Sequence, residues 1–219
     1  MRGGQRPGPA QPAIGLPVRL AACAGKHGMR AEPGRTDVAV LRRTVDGCER
    51  RVEIGPPTRD YIEAWEFRSR ADLDLAGSGT VIVMDRALKE RLEERAYSLI
   101  TDGDETVVRP AFGEEMRWLA AYEEFGWPGA PAAFWERYAV LADRRESAMA
   151  WLDETLVREL LAAAGAAKAP VPTVLALIRG RCYLRRQCTP EDPAGMDHAV
   201  RIVDVACERA LTEFAHARA

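Results

Sequence analysis

The sequence predicts an α+β protein that is mostly helical, with a small N-terminal β-hairpin and sheet followed by a C-terminal helical bundle. Two observations carry this prediction. Asp46 and Gly47 stand between two β-rich runs, which is the strongest short-range signal for a β-hairpin. In the second half of the chain, apolar residues recur three and four positions apart, as on one face of a helix. We therefore divide the 219 residues into a tail (1–36), an α+β half (37–110) and a helical half (111–219), the two halves forming one globular unit.

Residues 1–36 are predicted to form a flexible tail, because they lack hydrophobic periodicity and are rich in Gly, Pro and Arg. Leu20–Cys23 has the pattern of a bacterial lipoprotein cleavage box, but Arg19 and nearby prolines interrupt the apolar segment that such a signal needs. Met29 offers an alternative translation start, which leaves open whether residues 1–28 belong to the natural gene product.

The α+β half begins with the hairpin, whose strands we place at 38–45 and 48–54. Thr58 suits the N-cap of a helix, and apolar residues at helical spacing follow it, so a helix is predicted over 59–70. A short apolar run at 80–84 is typical of a buried strand.

Asp85 follows that strand and can accept hydrogen bonds from the first turn of a helix, which we place at 86–100. A further strand is predicted at 105–110. The helical half is predicted to contain helices at 113–125, 131–160 (with a break near 143–145), 173–187, and 193–216 after the cap Asp192.

Composition excludes several classes of protein. No stretch reaches about 18 consecutive apolar residues, so no transmembrane helix is expected. The net charge is −2, with a basic N-terminus and an acidic centre, which argues against a broad nucleic-acid surface. Five cysteines without a repeated spacing do not predict a disulfide framework, and we expect a cytoplasmic protein. Arginine dominates the basic residues, which is typical of a high-GC bacterial genome.

Acid/base candidates are few. His198 lies beside the apolar stripe of the last predicted helix, where it could serve as a general base or simply pack. Glu63 and Glu66 lie on one predicted helix with aromatic neighbours, and a carboxylate pair in a cleft can divide acid and base roles. Carboxylates on amphipathic helices also commonly face water. The chain contains no phosphate loop, dinucleotide fingerprint or nucleophile elbow.

Four arginines surround Tyr183 on a predicted short helix: Arg179, Arg181, Arg185 and Arg186. Arginines beside an aromatic ring can bind a phosphate or carboxylate, so they are our candidate anion-binding residues. The alternative is a basic helix face whose charges complement those of the acidic centre of the same chain.

Three cysteines and a histidine in the last 40 residues could suggest a metal site: Cys182, Cys188, His198 and Cys207. Their spacings do not match the close ligand pairs of structural zinc sites. We therefore predict no metal and no cofactor.

Aromatic residues concentrate at residues 118–138, across one helical junction. Phe134 and Trp135 are adjacent and point about 100° apart on a helix, so one core cannot bury both. Tryptophan is enriched at interfaces, which makes Trp127, Trp135 and Phe125 the candidate partner-binding residues.

These observations favour a cytoplasmic bacterial protein that acts through association, as a partner-dependent subunit of a homo- or hetero-oligomer. The alternative is a metal-free enzyme of specialised metabolism that uses carboxylates and arginines on a small anionic substrate. A nucleic-acid-binding role is the third hypothesis. Since many enzymes carry no short signature, the missing motifs separate these hypotheses only weakly.

Overall fold

A computed structural model of the chain describes residues 22–32, 37–75, 78–101, 113–165, 170–189 and 191–215. Its strands are β1 (Arg30–Glu32), β2 (Ala39–Val45), β3 (Cys48–Gly55), β4 (Trp65–Asp72), β5 (Thr80–Asp85), β6 (Glu123–Glu124), β7 (Tyr138–Ala142), β8 (Thr173–Ile178) and β9 (Arg181–Cys188). Its helices are α1 (Arg86–Thr101), α2 (Glu114–Ala121), α3 (Ala132–Arg137), α4 (Arg145–Trp151), α5 (Glu154–Gly165) and α6 (Pro193–Phe214). The strand predicted at 105–110 lies outside the described residues.

Within the described part of the chain, the nine strands form a single sheet in the order β1-β2-β3-β4-β9-β8-β5-β7-β6. Every neighbouring pair is antiparallel. The segment predicted to be a helical bundle contributes four of these strands, β6 to β9. The prediction of a mostly helical protein with only a small N-terminal sheet is therefore wrong.

Two tight turns explain why hairpins form where they do. Asp46 and Gly47 have φ values of 51° and 76° and connect β2 to β3 as predicted. Arg179 and Gly180 have φ values of 49° and 75° and connect β8 to β9 in the same way. Positive φ at both central residues is the geometry that matches the twist of a two-residue hairpin.

The helix predicted at 173–187 is thus wrong, since these residues form β8 and β9. Five of the six β8 residues are buried, because β8 lies in the sheet with helices on both sides. A short run buried on both faces has no alternation, so its periodicity cannot distinguish a strand from a helix.

The helix predicted at 59–70 is also wrong, because β4 occupies Trp65–Asp72. From Phe67 to Asp72 the side chains alternate between buried and more exposed positions, as expected for a half-covered strand. Ser69 takes one of the buried positions, and this polar residue obscured the alternation in the sequence.

The long helix predicted at 131–160 is divided into α3, α4 and α5, with β7 between α3 and α4. All five β7 residues are buried, which again removes the strand signal. The helix predicted at 113–125 ends earlier, at Ala121. Two cap predictions are confirmed: Asp85 Oδ1 accepts the Leu88 N–H at 3.2 Å, and Asp192 Oδ1 accepts the Gly195 N–H at 2.9 Å.

Helices cover the sheet unequally. On one side, which we term the α6 face, α4, α5 and α6 bury the larger core with apolar residues from strands across the sheet. On the opposite side, the α1 face, α1 and α2 pack against Ile82, Met84, Leu141, Val174 and Ala176 of β5, β7 and β8. The central strands β5, β7 and β8 are therefore covered on both faces.

Part of the segment predicted as a tail belongs to the packed structure. Residues 22–26 are helical, β1 pairs with β2, and Cys23, Ala24 and Met29 are buried in the larger core. The prediction for residues 1–21 concerns residues outside those described. Among the described helices, none combines the length and the apolar character needed to cross a membrane.

Candidate functional site

An apolar groove lies between the connector at 126–131 and α5. Its volume is about 780 Å³, within the range of roughly 300–1,000 Å³ that is usual for binding sites. The groove is lined by Trp127, Gly129, Ala130, Pro131, Leu152, Glu154, Val157, Arg158, Leu161 and Ala162. Its walls are thus mainly apolar, with two charged side chains on the α5 side.

A chain of aromatic contacts holds the connector in place. Trp127 and Trp135 meet edge to face with ring centroids 4.9 Å apart, and Trp135 meets Phe134 at 5.0 Å. Phe134 is fully buried, so it anchors the two partly buried tryptophans to the core. Phe125 also packs against this core, and its N–H donates to Val140 O at 2.9 Å. The three candidate partner-binding residues therefore lie in one region, and Trp127 lines the groove.

Glu154 and Arg158 are exposed and lie one turn apart on α5. Neither side chain has an ion-pair partner in the described part of the chain, although other helical pairs do, such as Lys89–Glu93 at 2.6 Å. Sequence analysis did not select these two residues, because Glu and Arg at i,i+4 usually stabilise a solvated helix face. Only the groove beside them distinguishes them from such a face.

The four candidate anion-binding arginines are separated. Arg179 occupies the β8–β9 turn, Arg181 is exposed and pairs with Asp72, and Arg185 lies on the α1 face. Because successive residues of a strand point to opposite faces, Arg186 points to the α6 face. No common site brings the four guanidinium groups together, since a strand and not a helix carries three of them.

Arg186 has an environment of its own. It is 5% exposed and lines a cavity of about 120 Å³ with Gln187, Cys188, Thr189 and the first turn of α6. Its guanidinium donates to Ala163 O at 3.1 Å and Thr173 Oγ1 at 3.4 Å, but no carboxylate within the described residues pairs with it. Burial lowers the pKa of Arg186, because the charged guanidinium is less stable away from water.

Glu63 and Glu66 occupy different environments. Glu63 is exposed in the loop before β4, whereas Glu66 is fully buried on β4. Burial opposes ionisation of Glu66, but the N–H and hydroxyl of Thr58, at 2.7 and 2.8 Å, and the Arg185 guanidinium, at 2.7 Å, outweigh it and lower its pKa. Glu66 is thus held as a carboxylate that positions its neighbours.

His198 is half-buried on α6, and its Nδ1 atom has no hydrogen-bond partner in the described structure. Burial and the charges of Arg201 and Arg186 lower its pKa, so the ring is neutral near pH 7. Among the described residues, no carboxylate orients the ring by a hydrogen bond, as one normally does for a general base.

The four residues considered for zinc do not converge. Cys182 on β9 and Cys207 on α6 are both buried in the larger core. Cys188 lies at the other end of β9, where burial raises its pKa to about 12. Six residues of extended strand separate Cys182 from Cys188 by roughly 20 Å, which no single metal ion can bridge.

No family model matches the chain, and neither a curated protein nor a solved structure matches it. The groove, the charges around it and the buried polar groups are therefore the features that bear on function.

Proposed function

We propose that the protein acts through self-association, as a homodimer whose two copies meet at the groove between residues 126–131 and α5. The observation that carries this proposal is the apolar groove bordered by Glu154 and Arg158, two charges of opposite sign without an ion-pair partner among the described residues. An apolar surface with a charged border is the usual composition of a protein interface.

Two-fold symmetry favours a second copy of the chain over another occupant. In an isologous interface, residue i of one copy contacts residue j of the other, and j contacts i in return. When two α5 helices cross in antiparallel directions, Glu154 of each copy meets Arg158 of the other. One i,i+4 pair then supplies two intermolecular ion pairs, and each of the four charges gains a partner.

Trp127 supplies the apolar anchor of this interface. Its ring is held by Trp135, which is itself fixed to buried Phe134, so little side-chain entropy is lost when a partner covers it. Leu161 and Val157 form the opposite wall and would be covered in the same step. This arrangement matches the pattern of a rigid aromatic hot spot surrounded by smaller apolar contacts.

Charge reversal tests the proposal directly. Light scattering after size exclusion, over a dilution series, is expected to show a dimer for the natural chain. Arg158→Glu should weaken dimerisation at least about tenfold, because it places like charges together twice per dimer. The combined variant Glu154→Arg with Arg158→Glu should restore the dimer, since the two charges are simply exchanged.

Arg117→Glu is the matched control, because Arg117 is exposed on α2 at a distance from the groove. It should leave the dimer unchanged. Trp127→Ala should cost at least about 2 kcal/mol of association while the thermal melt stays close to that of the natural chain. A strictly monomeric natural chain, or a dimer indifferent to all these changes, would overturn the proposal.

A second function is favoured by Arg186: binding of a small monoanion such as a carboxylate in the adjoining cavity. A guanidinium has five N–H donors, and Arg186 uses two in its recorded hydrogen bonds. A buried cation without an anionic partner is costly, and a bound anion would remove that cost. Asp192, which caps α6 beside the cavity, disfavours a more highly charged ligand.

Acetate and inorganic sulfate are suitable probes for this cavity. We expect acetate to raise the melting temperature of the natural chain more than the same concentration of sulfate. Arg186→Met should abolish the difference, whereas Arg181→Met on the exposed side of β9 should preserve it. Equal effects of both salts on all three proteins would indicate general salt stabilisation and exclude a site.

We further infer a cytoplasmic protein of a high-GC bacterium, supported by its arginine-rich composition and by five cysteines that are all free thiols. The nucleic-acid hypothesis gains little support. Arginines on the α1 face have acidic partners on the same face, as in Arg42–Glu32 at 2.8 Å and Arg185–Glu66 at 2.7 Å.

A further inference from the structure

Cys23, His27 and Asp197 bring three metal-binding side chains together at one point. The helical residues 22–26 place Cys23 one turn before His27, and α6 supplies Asp197 from the opposite end of the chain. One ligand atom from each residue lies within 4.8 Å of the other two. His27 Nε2 is 2.9 Å from Asp197 Oδ1.

The described structure already places a positive charge beside this cluster. Cys23 is 5% exposed, so its sulfur is sheltered from water beside Asp197. Asp197 is itself balanced by Lys26, which ion-pairs with it, although the Lys26 side chain is 63% exposed. An exposed ammonium group therefore lies beside Asp197, where a bound cation would also lie.

We propose that Cys23, His27 and Asp197 bind a zinc ion. Thiolate, imidazole and carboxylate are the three protein ligands that zinc uses, and i,i+4 spacing on a helix is known to present two of them to one metal. Three protein ligands leave the fourth tetrahedral position to water. On binding, the Cys23 thiol releases its proton to solvent and its sulfur forms the bond to zinc.

The site would connect distant parts of the sequence. Residues 22–32 contribute one helical turn and the edge strand β1. This segment packs in the larger core through Cys23, Ala24 and Met29, and the zinc would also fix it to α6. Binding energy gained only in the folded state adds to folding stability. This inference is independent of the dimer, since none of its ligands lines the groove.

Cobalt(II) is the appropriate first probe, because a thiolate bound to Co²⁺ gives a charge-transfer band and a tetrahedral site gives strong visible bands. We expect the full-length protein, stripped with a chelator, to bind one equivalent of Co²⁺ with both signatures, and Zn²⁺ to displace it. Cys23→Ser should abolish the charge-transfer band. Cys48→Ser and Cys188→Ser are the matched controls and should retain it.

Two further variants distinguish ligation from packing. Asp197→Asn should weaken metal binding more than about 100-fold, since even second-shell losses cost roughly 10–100-fold. Lys26→Met should strengthen it by up to about fivefold, as expected for removal of an exposed competing ion pair. The inference is overturned if the natural chain gives no cobalt–thiolate band, or if the band survives Cys23→Ser.

Discussion

The two halves of the sheet differ in what covers them. In the half formed by β5, β7 and β8, helices lie on both faces, and every residue of β5 and β7 is buried. In the half formed by β2, β3, β4 and β9, the α6 face is covered but the α1 face carries charged side chains. One hydrogen-bonded sheet therefore contains both a doubly covered interior and a half-covered surface.

Register shows how the change occurs from one strand to the next. Val174 of β8 packs under α1, and its neighbour across the sheet is Arg185 of β9. Arg185 is followed by Arg68 of β4 and Glu53 of β3 in the same row. In this row the apolar surface thus ends at β8, although Tyr183 of β9 still packs against the α1-face core. Ion pairs such as Arg68–Glu53, at 3.2 Å, begin beyond it. Whether a sheet residue is buried therefore depends on whether a helix covers it and not on the strand to which it belongs.

Alanine substitutions at residues that face opposite sides of the sheet should show the largest difference between the halves. In the doubly covered half, Ile82→Ala and Leu175→Ala face opposite sides, and each should cost about 2–5 kcal/mol of unfolding free energy. In β4, Phe67→Ala should cost about 3–5 kcal/mol, whereas Arg70→Ala should stay within roughly 0.5 kcal/mol. Urea unfolding measures all four. Equal losses at Phe67 and Arg70 would show that something covers the charged face.

The two hairpin turns provide a second comparison. Gly47 and Gly180 have nearly equal φ values, so replacing either by Ala should cost about 1–2 kcal/mol through left-handed strain. A methyl group at Gly47 meets nothing within 4 Å, but one at Gly180 would lie 2.6 Å from the backbone N and O of Leu75. Gly180→Ala should therefore lose a further 1–3 kcal/mol or so through overpacking. Thermal unfolding of both variants tests this, and equal losses would contradict it.

The stability contributions of two separate buried acids, Glu66 and Asp85, should change with pH in opposite directions. The pKa of Glu66, in the half-covered region, is lowered, so its contribution to stability is present above the ordinary pKa of 4.5 and is lost as pH falls through the lower folded value. Burial raises the pKa of Asp85 more than Arg137 lowers it. Its favourable contribution is present below the ordinary pKa of 3.8 and is lost as pH rises through the folded value.

Glu66→Gln should therefore cost about 1–3 kcal/mol at pH 7 and progressively less in acid. The free energy of unfolding of Asp85→Asn should be closest to, or above, that of the natural chain at pH 7, and should fall below it in acid. Asn can still cap α1. Urea unfolding at several pH values between about 3 and 7 distinguishes the two trends. The same pH trend in both variants would contradict the opposite shifts.

Sequence reasoning succeeded where a local group determines the structure. Asp46 and Gly47 form the predicted turn, and Asp85 and Asp192 cap helices as predicted, because each signal acts within a few residues. It failed at β7 and β8. These apolar segments are strands because helices from distant parts of the sequence cover both of their faces. A tertiary partner decides such cases, and no local spacing reveals it.

The candidate site was predictable only in part. The aromatic concentration at residues 118–138 directed attention to Trp127 and Trp135, which lie beside the groove. Its other wall belongs to α5, and the charges of Glu154 and Arg158 are significant only because the groove adjoins them. The cluster of Cys23, His27 and Asp197 joins residues about 170 positions apart, a distance over which single-sequence patterns carry no information.

Among the described strands, the two outermost are the shortest: β1 has three residues and β6 has two. Both strands are exposed, and four of their five residues are charged: Arg30, Glu32, Glu123 and Glu124. A long bare edge would offer unpaired backbone groups as a template on which further chains could add, which is the first step of amyloid-like growth. Very short, charged borders make that addition unfavourable. The described borders of this nine-stranded sheet therefore disfavour the edge-to-edge addition of a second chain.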